Sequence, residues 1–169
     1  MSLDEAKWKK YDEQYREAGE CIRQSNSMKD ALPCYEYLYK LKPYIPKELY
    51  AYHFRKLLNM NTANVPNELR LKMFEGVDPE DIMYQDELDA INNDFDEYIT
   101  VYRGTSKAEN IPGICWTLHK WVAEGTFYEG RLFEAQIPKA AILLYLAHDA
   151  DEGEVIAHVT SNYRIIEED

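Results

Sequence analysis

The feature that most constrains this chain is a change of period near residue 96. Before it, apolar residues recur three and four apart, as on one face of a helix. After it, β-branched and aromatic residues alternate, as in strands. The first strand-like stretch is "DEYITVYRGTS", Asp96 to Ser106. A strand alternates its faces, so Ile99, Val101 and Arg103 share one side while Thr100 and Tyr102 share the other. A guanidinium in line after two core residues is unfavourable unless an anion meets it. What that anion is becomes the question the rest of the chain must answer.

The first half reads as helices. Trp8, Tyr11, Tyr15, Ala18 and Ile22 form one stripe, which "RQSNS" interrupts. Cys34, Tyr37, Leu38 and Leu41 form a second stripe after Pro33. Pro46 suits the first turn of a third helix carrying Leu49, His53, Phe54 and Leu57. Pro66 does the same for a shorter helix with Leu69 and Met73; "GVDPEDI" is a turn, and Asp81 to Asn93 a last helix. The 14 tyrosines concentrate in these helices and read as packing residues with wet hydroxyls.

In the second half, "YITVYRG", "RLFEAQIP", "GEVIAHVT" and "YRIIEE" read as strands, the second ending at Pro138. Thr117 reads as the N-cap of a helix in which Leu118, Trp121 and Val122 share a face. "AAILLYL" fits a buried strand or a short helix equally. Helices followed by strands with one inserted helix make an α+β pattern, not alternating βαβ units. No repeat or flexible linker interrupts the 169 residues, so the expectation is a single domain over 1–169, helical over 1–95 and strand-rich over 96–169.

With 46% hydrophobic and 30% charged residues, the composition is that of a globular protein. A net charge of −12 argues against nucleic acid and anionic membrane surfaces as partners, but leaves room for a small anionic ligand. Cys21, Cys34 and Cys115 are odd in number, widely spaced and free of any C-x-x-C, so neither a zinc cage nor a disulfide framework is expected and a reduced, cytoplasmic setting is the simple reading. No stretch reads as a signal peptide or a membrane span.

Three short motifs carry chemistry. In "VYRG", the Arg103 fork matches a phosphate or carboxylate bidentately, and Gly104 allows close approach to the backbone. A salt bridge to an acidic neighbour explains Arg103 as well. In "GICWT", Cys115 and Thr117 flank Trp116, whose ring could wall a pocket or fill a core. In "DEGEVIAH", Glu152, Glu154, Ile156 and His158 fall on one strand face, and Val155, Ala157 and Val159 on the other. Two carboxylates two apart belong to a solvated edge or to a site that uses their charge. The four histidines are scattered and indicate no metal.

In this order the motifs resemble the arginine, Ser-x-Ser/Thr and Glu-x-Glu signature of the ADP-ribosyltransferases, in the branch of bacterial toxins and small phage and bacterial proteins. The likeness covers about Tyr98 to Val159, with Cys115 standing where the family usually has Ser. The resemblance implies a helical layer packed on a split β-sandwich, with NAD as co-substrate between the sheets. It implies that Arg103 grips the pyrophosphate and that Gly104, Cys115, Trp116 and Thr117 line or support the site. Glu154 would stabilise the cation that develops as the nicotinamide bond breaks, and Glu152 would activate a protein acceptor; a glutamate pair resembles the arginine-modifying members. The expected activity is mono-ADP-ribosyl transfer, inside the producing cell or after delivery to another. NAD glycohydrolysis and a catalytically silent interaction module are the alternatives. An enzyme acting on nucleic-acid phosphate is disfavoured by the charge.

Overall fold

The structure, a computed structural model, describes residues 16–109, 112–148 and 151–169. The expected stripe of Trp8, Tyr11 and Tyr15 lies outside these residues. The chain divides into two compact units, Met1–Gln85 and Asp86–Asp169, where the sequence suggests one domain with a change of character at 95.

The first unit is helical: α1 Arg16–Ser25, α2 Leu32–Leu41, α3 Lys47–Met60, α4 Asn67–Phe74 and the single turn α5 Pro79–Ile82. Pro33 sits in the first turn of α2, and Pro46 and Pro66 stand just ahead of α3 and α4, where a missing N–H is harmless. Helix α3 is buried on nearly every side, from Leu49 to Leu58 apart from Lys56. Phe54 is its hub, with the Tyr35, Tyr50 and Phe74 rings 6.4, 5.9 and 4.7 Å away. Two of the buried tyrosines bond their hydroxyls to the protein: Tyr35 donates to the Asn61 carbonyl at 3.0 Å and Tyr50 to the Met73 carbonyl at 2.9 Å. A disulfide joins Cys21 on α1 to Cys34 on α2, which corrects the expectation of no disulfide in a reduced setting. The turn between the helices brings residues 13 apart to a Cα–Cα distance of 5.7 Å, a proximity that the missing C-x-x-C did not signal.

The second unit opens with α6 Gln85–Asp89, which runs into a π-helical turn, Ala90–Asp94, so the expected helix over 81–93 is broken into three pieces. Six strands follow: β1 Tyr98–Ser106, β2 Cys115–Thr117, β3 Gly130–Pro138, β4 Ile142–Leu146, β5 Glu154–Ala157 and β6 Tyr163–Glu168. They form one antiparallel sheet in the order β4-β5-β2-β1-β3-β6, where the resemblance implies the two sheets of a split β-sandwich; the α+β class itself holds. One face carries a core in which Ile99, Val101, Trp116, Phe133, Ala135, Ile137, Val155 and Ala157 pack together, and Leu132 and Ile156 are buried on the other. Helix α7 Lys120–Gly125 packs against β1 and β2. No helix among the described residues is long and apolar enough to cross a membrane.

Candidate functional site

Residues directly opposite each other in an antiparallel pair lie on the same face, so register places the candidate residues. Tyr102 on β1 is opposite Thr117 on β2, and Thr117 is opposite Glu154 on β5. On the other side, Tyr102 is opposite Glu134, and Glu134 opposite Arg164. One polar row, Arg164–Glu134–Tyr102–Thr117–Glu154, therefore crosses five strands. Arg103 starts from the opposite face, beside Val101 and across from Phe133. Arg103, Thr117 and Glu154 thus stand on three adjacent strands, β1, β2 and β5, but register does not bring Arg103 and Glu154 onto one face.

The guanidinium stays close to the strand plane. Its Nη1 donates to the Cys115 carbonyl at 2.8 Å, and a strand carbonyl points along the sheet rather than out of it. The anion that meets it is Glu109: Nε lies 3.3 and 3.2 Å from the two carboxylate oxygens and Nη2 lies 3.0 Å from one. A turn closed by the Glu109 amide on the Ser106 carbonyl sends that residue back toward Arg103. Arg131 fixes the turn from outside, donating to the Glu109 carbonyl at 2.7 Å. Gly113 covers the guanidinium so closely that an added Cβ would sit 2.8 Å from Nη2. Sequence reasoning allowed an acidic partner but did not find Glu109; the only signal is its place six residues on, across a short polar turn.

The close approach at Gly104 is made by the protein itself. A Cβ there would lie 2.2 Å from the Ala123 carbonyl oxygen of α7, so this glycine admits a helix rather than a ligand. Trp116 takes the core reading: it is 2% exposed, and its indole N–H donates to the Gly113 carbonyl at 3.1 Å. Cys115 is half-buried and outside the disulfide, and its carbonyl holds Arg103. Thr117 ends β2 and caps no helix directly. Its hydroxyl donates to the Glu152 carbonyl and accepts the His119 amide at 3.0 Å, while His119 is the residue before α7. Of the three residues expected on one helical face, Val122 is buried, Leu118 is partly buried and Trp121 is 64% exposed.

The glutamates separate into two settings. Glu154 is half-buried at the start of β5, whereas Glu152 lies in the preceding turn. Gly153 has a φ of 57°, a left-handed conformation that breaks the strand's alternation, so the two carboxylates do not share a strand face as spacing suggested. The turn is pinned by Thr117 and by the Leu118 amide, which donates to the Gly153 carbonyl at 3.0 Å. His119 lies against it: a Cβ on Gly153 would come 2.9 Å from His119 Nε2. Beyond β4, the buried Glu87 carboxylate accepts the amides of Ala147 and His148 at 2.9 and 3.4 Å, and Asp86 pairs with the His148 ring. Burial and the carboxylates of Glu87, Asp86 and Asp94 raise the Tyr145 hydroxyl above its ordinary pKa. No cluster suited to a metal ion occurs among the described residues.

This arrangement sets Glu154 opposite Thr117 in register, with the His119 ring against the Gly153 turn and an ion-paired arginine two strands away. Comparison of the chain with family models, with curated proteins and with solved structures finds no match. The site therefore stands on its own geometry.

Proposed function

We propose that the strand-rich unit is an ADP-ribosyltransferase that moves ADP-ribose from NAD to a protein acceptor and releases nicotinamide. The observation that carries this reading is that three motifs, far apart in the chain, lie on the adjacent strands β1, β2 and β5, although Arg103 starts from the face opposite Glu154. Glu154 supplies negative charge beside the sugar as the nicotinamide bond breaks and an oxocarbenium-like cation develops. A charge held in place stabilises that cation more than the neutral ground state. Thr117 holds the turn that leads into Glu154. Arg103, level with the seam between β1 and β2, takes the pyrophosphate by exchanging one anion, Glu109, for another. Glu152 in its turn addresses the acceptor. The fold proposed with this activity is that of the ADP-ribosyltransferases.

The experiment is nicotinamide release from NAD by the wild type and by Glu154→Gln, which keeps size and removes charge. A loss of about a hundredfold or more is expected, the scale of removing a main electrostatic stabiliser. Equal rates would overturn the assignment. A catalytically silent interaction module is the second reading, favoured by the filled fork of Arg103. Under that reading millimolar NAD leaves the melting temperature unchanged, since only a ligand that binds the folded state raises it.

A further inference from the structure

We infer that the open cleft over β3 and β6 is a binding site for a neutral polyhydroxylated ligand, a saccharide. None of its residues belongs to the proposed dinucleotide site. The cleft measures about 410 Å³, within the range of roughly 300–1,000 Å³ usual for small-molecule sites, and Glu134, Gln136, Asn162, Tyr163 and Arg164 line it. Register builds it. Tyr98, Thr100 and Tyr102 alternate with Ile99 and Val101 and so point away from that core. Opposite them on β3 stand Pro138, Gln136 and Glu134, and Arg164 on β6 stands opposite Glu134. The Gln136 carboxamide donates to the Thr100 hydroxyl, and the Gln136 amide donates to the Asn162 carbonyl at 3.0 Å. Asn162 has a φ of 58°, a left-handed turn conformation that asparagine tolerates, and it is exposed. Tyr163 is anchored from below, its ring 5.9 Å from that of Phe133.

The donors and acceptors choose the occupant. Arg164 directs Nε and Nη2 to one oxygen of Glu134, at 3.1 and 2.8 Å. The second Glu134 oxygen and the Arg164 Nη1 have no partner among the described residues, and neither does the Asn162 carboxamide. The ion pair sums to zero charge, so an anion drawn to the guanidinium meets Glu134 and an ammonium drawn to the carboxylate meets Arg164. A hydroxyl suits both at once, because it donates to a carboxylate oxygen and accepts from a guanidinium N–H. Neighbouring hydroxyls on a ring match the paired atoms of a carboxylate, a guanidinium and two carboxamides. Tyr98, 57% exposed on the same face, supplies an aromatic surface for the apolar C–H side of a sugar ring.

The test is a titration of the full-length protein followed by amide chemical shifts. The probes are the methyl glycosides of glucose, galactose, mannose and N-acetylglucosamine, each taken to tens of millimolar, with sodium sulfate as the anion control. At least one glycoside should give saturable shifts centred on residues 134–136 and 162–164, and sulfate should not. Gln136→Ala and Asn162→Gly should each weaken that binding by about three- to tenfold, the size of one lost hydrogen bond. Both side chains are exposed, and glycine keeps the left-handed turn at 162, so a loss there is not a folding defect. The inference is overturned if none of the four glycosides shifts these amides, if sulfate shifts them as strongly, or if both variants bind as the wild type does. Nicotinamide release reads a different set of residues, so either activity can fail while the other stands.

Discussion

At the scale of single residues, the most informative contact is between Arg103 and Glu109. A strand that carries a guanidinium in line with Ile99 and Val101 is tolerable only because Glu109 returns through a tight turn to meet it. If that carboxylate stands where a phosphate must bind, Glu109→Gln should lower the NAD concentration needed for half-maximal nicotinamide release. The same change should reduce stability by about 1 kcal/mol, since it weakens a half-buried charge-assisted pair. An unchanged or higher requirement for NAD would mean that Arg103 serves the fold alone. Tyr50 gives a pH prediction in the helical unit. Burial raises its hydroxyl pKa above the ordinary value, and the hydroxyl donates to the Met73 carbonyl. A folded pKa above the unfolded one means stability that is complete below about pH 10 and is lost as pH climbs from there toward the folded value. Burial lowers the pKa of Lys42, which lies over the same ring, so its ammonium opposes folding until it deprotonates, the opposite trend with rising pH. The measurement is thus a comparison of denaturant unfolding in wild type and Tyr50→Phe between pH 8 and 11, a range bracketing the ordinary tyrosine value of about 10. Tyr50→Phe should be less stable by about 1 kcal/mol at neutral pH and show a smaller alkaline loss.

Among the elements, β1, β3, β5 and β6 are legible as strands in the sequence, while β4 fits a strand or a helix equally, β2 goes unread and the connections are not legible. Alternation placed β1 and β3 and the core face of Val155 and Ala157, because half-buried strands in an antiparallel sheet must alternate. Alternation failed at Glu152, where Gly153 reverses the backbone and removes the two-residue relation to Glu154. It also says nothing about which strands are neighbours, so the common row of Tyr102, Thr117 and Glu154 could not be read before the register was known. Thr117 looked like a helix cap because its hydroxyl does accept an amide, that of His119, but its backbone remains in β2. The clamp made by Glu87 was invisible because Glu87 is 60 residues from the Ala147 amide it accepts. That clamp is testable. Glu87→Leu leaves two amides without their acceptor and should cost about 2–3 kcal/mol, with a larger rise in hydrogen exchange at Ala147 and His148, just past β4, than within the strand. Glu87→Gln keeps an acceptor oxygen and should restore part of the protection. Unchanged exchange at Ala147 and His148 in both variants would show that the carboxylate is not what holds this end of the strand.

For the whole molecule, the division into two compact units assigns different sensitivities to different stretches of chain. The Cys21–Cys34 bond lies in the first unit and closes a loop of 13 residues in sequence separation. In the loop-entropy picture such a link stabilises by about 3 kcal/mol, chiefly by restricting the unfolded chain. The proposed dinucleotide site lies wholly in the second unit. Reduction with dithiothreitol should therefore lower hydrogen-exchange protection in the buried stretch of α3, residues 49–58, while NAD at millimolar concentration should raise protection in β1, β2 and β5. Each treatment is scored where its chemistry acts, so one can fail without the other. Unchanged protection of α3 after reduction would remove the disulfide from the list of things that hold the helices together. Unchanged protection of β1, β2 and β5 with NAD would instead count against the second unit as a dinucleotide site, whatever the helices do.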